Sequence, residues 1–166
     1  MPADTSNGPT VRPATPADLP SIGRLFALLV EAHCDFDPLR FLAASDWTQA
    51  GYESWLNTQL DKPDVAVLVA DDNGKVIGYV YATVEGYDYM DLRGPAGYLH
   101  DIVIDREHRG RGVGRLLLDA TLAHLKSRGV PRVLLMTAEQ NESAKRLFAN
   151  AGFRRTMIEM TRELDA

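Results

Sequence analysis

The segment His108–Leu118 reads HRGRGVGRLLL, with glycines at 110, 112 and 114 running into a leucine run and arginines threaded between them. Glycine is costly to order and poor in helices, so three bare positions ahead of a helix need a reason. The first N–H groups of a helix lack intrahelical partners and carry partial positive charge, so an anion is stabilised there without a special side chain. Absence of Cβ atoms at 110, 112 and 114 also clears the approach of a bulky phosphate. The chemistry implied is retention of a phosphorylated ligand.

Spacing narrows the ligand. A Walker loop requires G-x-x-x-x-G-K-[ST], and the stretch has no lysine. A dinucleotide fingerprint requires G-x-G-x-x-G, but Arg115 stands where the third glycine belongs. The neighbourhood of Arg132, about twenty residues on, offers no acid for a ribose. Both nucleotide readings are weak, and a plain flexible turn that starts a helix stands beside them.

The flanking sequence supplies the elements that must position this turn. TVRPA (10–14) has the pattern of a short strand, and Thr15-Pro16-Ala17-Asp18 has the chemistry of a helix start. Leu19, Ile22, Phe26, Leu29 and Val30 then form an amphipathic stripe as far as about Ala32. A second helix is expected near 46–60, with Asp46 as cap and Trp55 and Leu60 as anchors. DVAVLVADDNGKVIGYVYATVEG is two strands around a DDNG turn, and GYLHDIVID (97–105) is a third apolar strand leading into the glycines. Residues 113–128 are apolar around most of a helix, which therefore lies against a sheet. RVLLMTA (132–138) reads as a buried strand, NESAKRLFANAG (141–152) as a short helix, and FRRTMIEMTREL as a last strand. The order is β-α-α-β-β-β-α-β-α-β, one mixed α/β domain over 9–166 behind a flexible polar lead at 1–8.

These patterns carry a resemblance. Arg109-Gly-Arg-Gly112-Val-Gly114 matches [QR]-x-x-G-x-[GA], and Asn141, Ala144, Phe148, Gly152 and Phe153 follow N-x-x-A-x-x-x-[YF]-x-x-x-G-F. The chain is identified as a member of the GNAT acyltransferase superfamily, whose motifs it repeats in order over nearly its whole length. The resemblance implies a central mixed, mostly antiparallel sheet, splayed between its fourth and fifth strands and flanked by about four helices. It implies acetyl-coenzyme A as acetyl donor, with its pantetheine arm inserted between the splayed strands, and no metal.

Carried over residue by residue, the backbone of Arg109, Gly110, Arg111, Gly112, Val113, Gly114 and Arg115 would hold the pyrophosphate. The Ile102–Val103–Ile104 segment would meet the acetyl carbonyl and pantetheine amides, with Ile102 and Ile104 bonding through their main chains. Asn141 would bond the pantetheine, besides capping a helix, and Phe148 would pack against the thioester. An amine must be neutral to attack a carbonyl, so a base is needed, directly or through water. The family often places an acid or histidine on the strand before the glycine turn. His100 holds that position, with Tyr98 two residues earlier and Asp101 and Glu85 in reserve. A satisfied structural histidine is the competing role. Many relatives have tyrosine at Phe148, where a hydroxyl protonates the leaving thiolate; phenylalanine cannot. A tyrosine from Gly86-Tyr-Asp-Tyr89 is a candidate substitute.

The resemblance leaves the acceptor open, from small cationic amines to peptide or protein amines. Residues 31–64 carry seven acids against two bases, and Asp35, Asp37, Asp46, Glu85, Asp88 and Asp91 share the acceptor-side regions with Trp47, Tyr52, Trp55, Tyr87 and Tyr89. Carboxylates among aromatics suit a cationic amine, although any one acid can equally be a solvated surface group. The formal net charge of −5 over 166 residues argues against a nucleic-acid binder. No apolar run approaches the roughly 18 residues of a membrane span, and the start lacks a secretory pattern, so a cytoplasmic protein is expected. Cys34 is the only cysteine and lies outside every matched motif, which excludes an intrachain disulfide and disfavours an acyl-cysteine intermediate. The expected activity is N-acetylation by direct attack in a ternary complex. The alternative from another class is a non-catalytic acyl-coenzyme A sensor, suggested by Phe148. Dimers are frequent in the family, so a homodimer is a further expectation.

Overall fold

A computed structural model describes residues 8–164. The expected polar lead falls, except for Gly8, outside them. Five strands form one sheet in sequence order: β1 (Thr10–Pro13), β2 (Val65–Asp72), β3 (Lys75–Glu85), β4 (Ala96–Ile104) and β5 (Val133–Leu135). The first four pair antiparallel, while β5 runs parallel to β4. The DDNG turn closes β2 onto β3, with Asn73 and Gly74 both at positive φ, as a tight primed hairpin turn demands.

Helices cover both faces. On one lie α1 (Leu19–Phe36) and α2 (Thr48–Asn57), whose Ile22, Leu25 and Leu56 are fully buried against Val67, Val69, Tyr79 and Val103. On the other lie α3 (Val113–Ser127) and α4 (Glu142–Asn150), where Leu117, Leu118, Leu125 and Phe148 pack on Ile77, Val80, Ala82 and Leu99. Each wholly buried leucine removes enough apolar surface from water to contribute about 2 kcal/mol. Arg12 fastens β1 to the sheet and to the approach of α1, donating to Asp71 and to both carboxylate oxygens of Asp18 at 2.8–2.9 Å.

Two features of β4 matter for the site. Its pairing with β5 covers only Gly97–Leu99 against Val133–Leu135, while β4 itself continues to Ile104. The sheet is thus open between these strands from His100 onward. Second, Tyr81 opposes Asp101 but Ala82 opposes Leu99, so His100 is an extra residue, a β-bulge in β4.

The expected last strand does not form. Residues 153–163 make no ladder among the described residues, and Met157, Ile158 and Met160 stay exposed. Apolar composition there gives strand propensity, but a strand exists only where a neighbour accepts its backbone hydrogen bonds. The strand expected over 132–138 is likewise limited to Val133–Leu135.

Candidate active site

The turn between β4 and α3 gives the three glycines separate tasks. Gly110 and Gly112 have φ of 72° and 82°, in the left-handed region that other residues enter at a cost, and a Cβ on either would meet nothing within 4 Å among the described residues. The space above them is open. Gly114 instead sits under packing: its Cβ would lie 3.3 Å from Ile104 Cδ1 and 3.4 Å from Leu147 Cδ2. Gly112 is the N-cap of α3 without a side-chain cap bond, and the backbone N–H groups of Gly110 through Arg115 find no acceptor among the described residues. Arg109 Nε donates to Ile104 O at 3.2 Å, tying the turn to the end of β4. Arg115 pairs with Asp119 and reaches Asn150 O, while Arg111 makes no side-chain bond among the described residues.

Ladder alternation fixes what the open edge of β4 presents. Asp105 N–H donates to Ile77 O, so Asp105 and, two residues back, Val103 face β3 with their backbone polar groups. The N–H and C=O groups of Ile102 and Ile104 therefore point to the edge that β5 does not reach. This revises the expectation for Val103. Its main chain is committed to β3 and its side chain, 4% exposed, lies in the α1/α2 core, so only its two neighbours meet the opening.

A cleft of about 350 Å³ occupies the mouth of that opening. Leu29, Val30 and His33 of α1 form one wall; Arg40, Phe41 and Leu42 form the rim; His100, Asp101 and Ile102 form the floor; Met136, Thr137, Asn141, Ala144 and Phe148 close the far side. Asn141 caps α4, its Oδ1 accepting from Ala144 N–H at 3.1 Å and from Ser143, which leaves its amide NH2 unengaged among the described residues. Phe148 is buried and edge-on to Phe153. The tyrosines considered as its replacement, Tyr87 and Tyr89, are exposed and do not line the cleft.

The bulge gathers Tyr98, His100 and Asp101 on the α1/α2 face. The Tyr98 and His100 rings stack at 4.6 Å. Thr83 Oγ1 donates to Glu85 Oε1 at 2.8 Å, so its oxygen must accept from His100 Nε2–H, also at 2.8 Å. That network assigns the proton of a neutral His100 to Nε2 and leaves Nδ1 as its basic nitrogen. Burial raises the Tyr98 phenol, reinforced by Glu85 and Asp91, so it stays protonated and could donate. Asp101 is pushed above the usual carboxylate range by burial, against the opposing bonds from Tyr52 OH at 2.5 Å and Tyr79 OH at 3.2 Å.

Two groups were missed in the sequence. His33 lines the cleft with Nδ1–H donating to Leu29 O at 2.8 Å and its ring edge-on to Phe41; a histidine four residues after a leucine on a helix stripe was the available signal. Arg93 is nine-tenths buried and collects Glu85, Asp88 and Asp91. The acids expected to recruit a cationic acceptor are thereby largely committed: these three surround Arg93, and Asp35, Asp37 and Asp46 do not line the cleft.

Residues 27–153 match the Acetyltransferase (GNAT) family. A mycothiol acetyltransferase of Thermobispora bispora is 38% identical over 96 residues, covering 55% of this chain and 31% of that protein. The chain thus spans about a third of the length of such relatives. An uncharacterised N-acetyltransferase of Methanocaldococcus jannaschii is 27% identical over 87% of this chain and 60% of its own length. The crystal structure of a mutant of the BH1408 protein from Bacillus halodurans superposes with a TM-score of 0.82 at 24% identity, covering 93% of this chain and 98% of that one, a likeness of fold.

Proposed function

The chain belongs to the GNAT acetyltransferase family, and on that premise we propose that it transfers an acetyl group from acetyl-coenzyme A to a primary amine by direct attack in a ternary complex. One observation carries the donor assignment: the unsatisfied N–H groups of Gly110–Arg115 lie next in the chain to the unpaired edge of β4. The two fit the two parts of the donor. A pyrophosphate suits the N–H row at the start of α3, with Arg109, Arg111 and Arg115 adding charge. A pantetheine arm carries amides that can complete the ladder beside Ile102 and Ile104, with the Asn141 amide opposite. Bound there, acetyl-coenzyme A supplies an activated thioester. The Ile102 N–H, turned to the open edge, is a donor for negative charge developing on its carbonyl oxygen.

His100 is the proposed base, accepting the amine proton at Nδ1, and Tyr98, kept protonated by its surroundings, is the proposed partner in proton handling. Phe148 packs beside the thioester and offers no proton, so the leaving thiolate takes one from water or takes back the amine proton held by His100. A thiol pKa above neutrality, as in free cysteine at about 8.5, makes that feasible near neutral pH. Cys34 takes no part, and Cys34→Ala is expected to turn over normally.

Free-thiol release from acetyl-coenzyme A is the deciding measurement, run over a panel of small diamines, amino sugars and peptide amines. Release that depends on an amine is expected. Tight coenzyme binding without amine-dependent release identifies the second reading, a non-catalytic acyl-coenzyme A sensor, which the missing Phe148 hydroxyl favours.

A further inference from the structure

The His100 imidazole is held by a relay that begins at the buried Arg93, in the loop between β3 and β4, and ends at the partly exposed ring. Arg93 Nη2 contacts Glu85 Oε2; Glu85 Oε1 accepts from the Thr83 hydroxyl and lies 3.3 Å from His100 Nε2; and Thr83 Oγ1 accepts the Nε2 proton. We propose that Arg93 and Glu85 are positioning residues that lock His100 in one tautomer and one orientation, so that Nδ1 is always the nitrogen offered to the acceptor. This rests on the reading of His100 as base.

The arrangement is poor as a stability device. Arg93 side-chain exposure is 10%, yet its Nε has no hydrogen-bond partner among the described residues, with Asp91 Oδ2 no closer than 4.0 Å. A buried cation with an unsatisfied donor costs more than an apolar residue of similar shape would. Nor is the side chain needed to close the loop. Asp88 and Arg93 already exchange two backbone hydrogen bonds of 2.9 Å, N–H to O in both directions. What the guanidinium does beyond that is grip Glu85 and Gly86 O. Held by it, Glu85 has one oxygen fixed on Arg93 and the other left to order Thr83 and His100. Glu85 is thereby engaged through both of its oxygens.

Tyr98 and Tyr81 confine the ring from its faces at 4.6 and 5.3 Å, and neither hydroxyl bonds to it. The tautomer is therefore set at Nε2 alone, by Thr83 and Glu85.

The test reads His100 directly by 15N-resolved NMR of histidine-labelled protein at about pH 8, where an ordinary imidazole is neutral. The His100 signals are assigned by their loss in His100→Gln. The parent protein is expected to show protonated Nε2 and unprotonated Nδ1. Arg93→Ala and Glu85→Ala are expected to show averaged shifts from a mixture of tautomers, and Glu85→Gln, which keeps an acceptor for Thr83, a partial return. With an accepted amine, kcat is expected to fall about tenfold or more in both alanine variants, at unchanged KM for acetyl-coenzyme A. A single unchanged tautomer in Glu85→Ala or Arg93→Ala overturns the proposal. Should an alanine variant fail to fold, Glu85→Gln and Arg93→Gln decide by the same shifts. If the tautomer averages while no amine releases thiol, the positioning stands and the transferase reading falls.

Discussion

The Tyr52 hydroxyl donates to Asp101 Oδ2 at 2.5 Å, joining α2 to the floor of the cleft beside the bulge. Burial holds Asp101 above the usual carboxylate range, so the folded protein binds a proton at pH values where the unfolded chain has released it. Stability therefore falls as pH rises from about 4 toward the folded value, because the native state holds more protons than the unfolded one. Asp101→Asn keeps an acceptor for Tyr52 and should flatten that loss in thermal unfolding between pH 4 and 8. Tyr52→Phe should cost about 1–3 kcal/mol at neutral pH by removing a bond to a buried carboxylate. Equal pH slopes in parent and Asp101→Asn would exclude the assignment.

An opposite pH dependence is expected at the other end of the sheet. Asp18 is lowered to about 2 by its bonds from Arg12, aided by Thr15. Its contribution is complete above the ordinary carboxylate value and disappears as pH falls from about 4 toward 2. Arg12 is more than one third exposed, so screening limits the effect to about 1–2 kcal/mol. Asp18→Asn should lose that amount at pH 7 in urea titrations and should lose less than the parent on acidification through this window, where Asp71 still titrates.

The glycine turn can be dissected one residue at a time. Gly112→Ala places a Cβ into open space but at positive φ, costing about 1 kcal/mol of stability and obstructing the N–H row. Calorimetric titration should show coenzyme A binding weakened at least tenfold. Gly114→Ala meets the flexible ends of Ile104 and Leu147, so it should alter the thermal midpoint more than the affinity. Reversal of these two outcomes would move the diphosphate elsewhere.

Packing behind the turn is tested by Leu117, wholly buried between α3 and the sheet. Leu117→Ala should destabilise by about 2–5 kcal/mol through lost burial and the cavity left behind. Coenzyme affinity measured below the new melting temperature should stay close to that of the parent. A comparable loss of affinity would mean that α3 depends on this contact for its N-terminal geometry.

Local patterns carried most of the fold. The 3-4-3 spacing through Ile22 and Phe26, the DDNG hairpin and the glycine turn each imply their element from neighbouring residues alone. The failures were of long-range origin. A bulge depends on the partner strand, so GYLHDIVID read as plain alternation puts Asp101 on the face opposite His100, whereas both share one. Val103 could not be separated from Ile102 and Ile104 without knowing which edge of β4 is paired. The FRRTMIEMTREL segment has strand composition but no partner strand among the described residues. His33 and Arg40 reach the cleft because α1 runs on to Phe36 and Arg40 pairs with Glu159, a contact across 119 positions. Acids near the acceptor region were legible as charges, but not as ligands of Arg93.

The bulge separates the fold from the proposed base at a single codon. Without His100, Leu99 would be followed by Asp101, and the ladder against Tyr81 and Ala82 would become regular, with every other side chain on the face it now occupies. The residue is an insertion that the sheet accommodates rather than one it is built from. Excision of His100 would leave both cores in phase and remove only the imidazole.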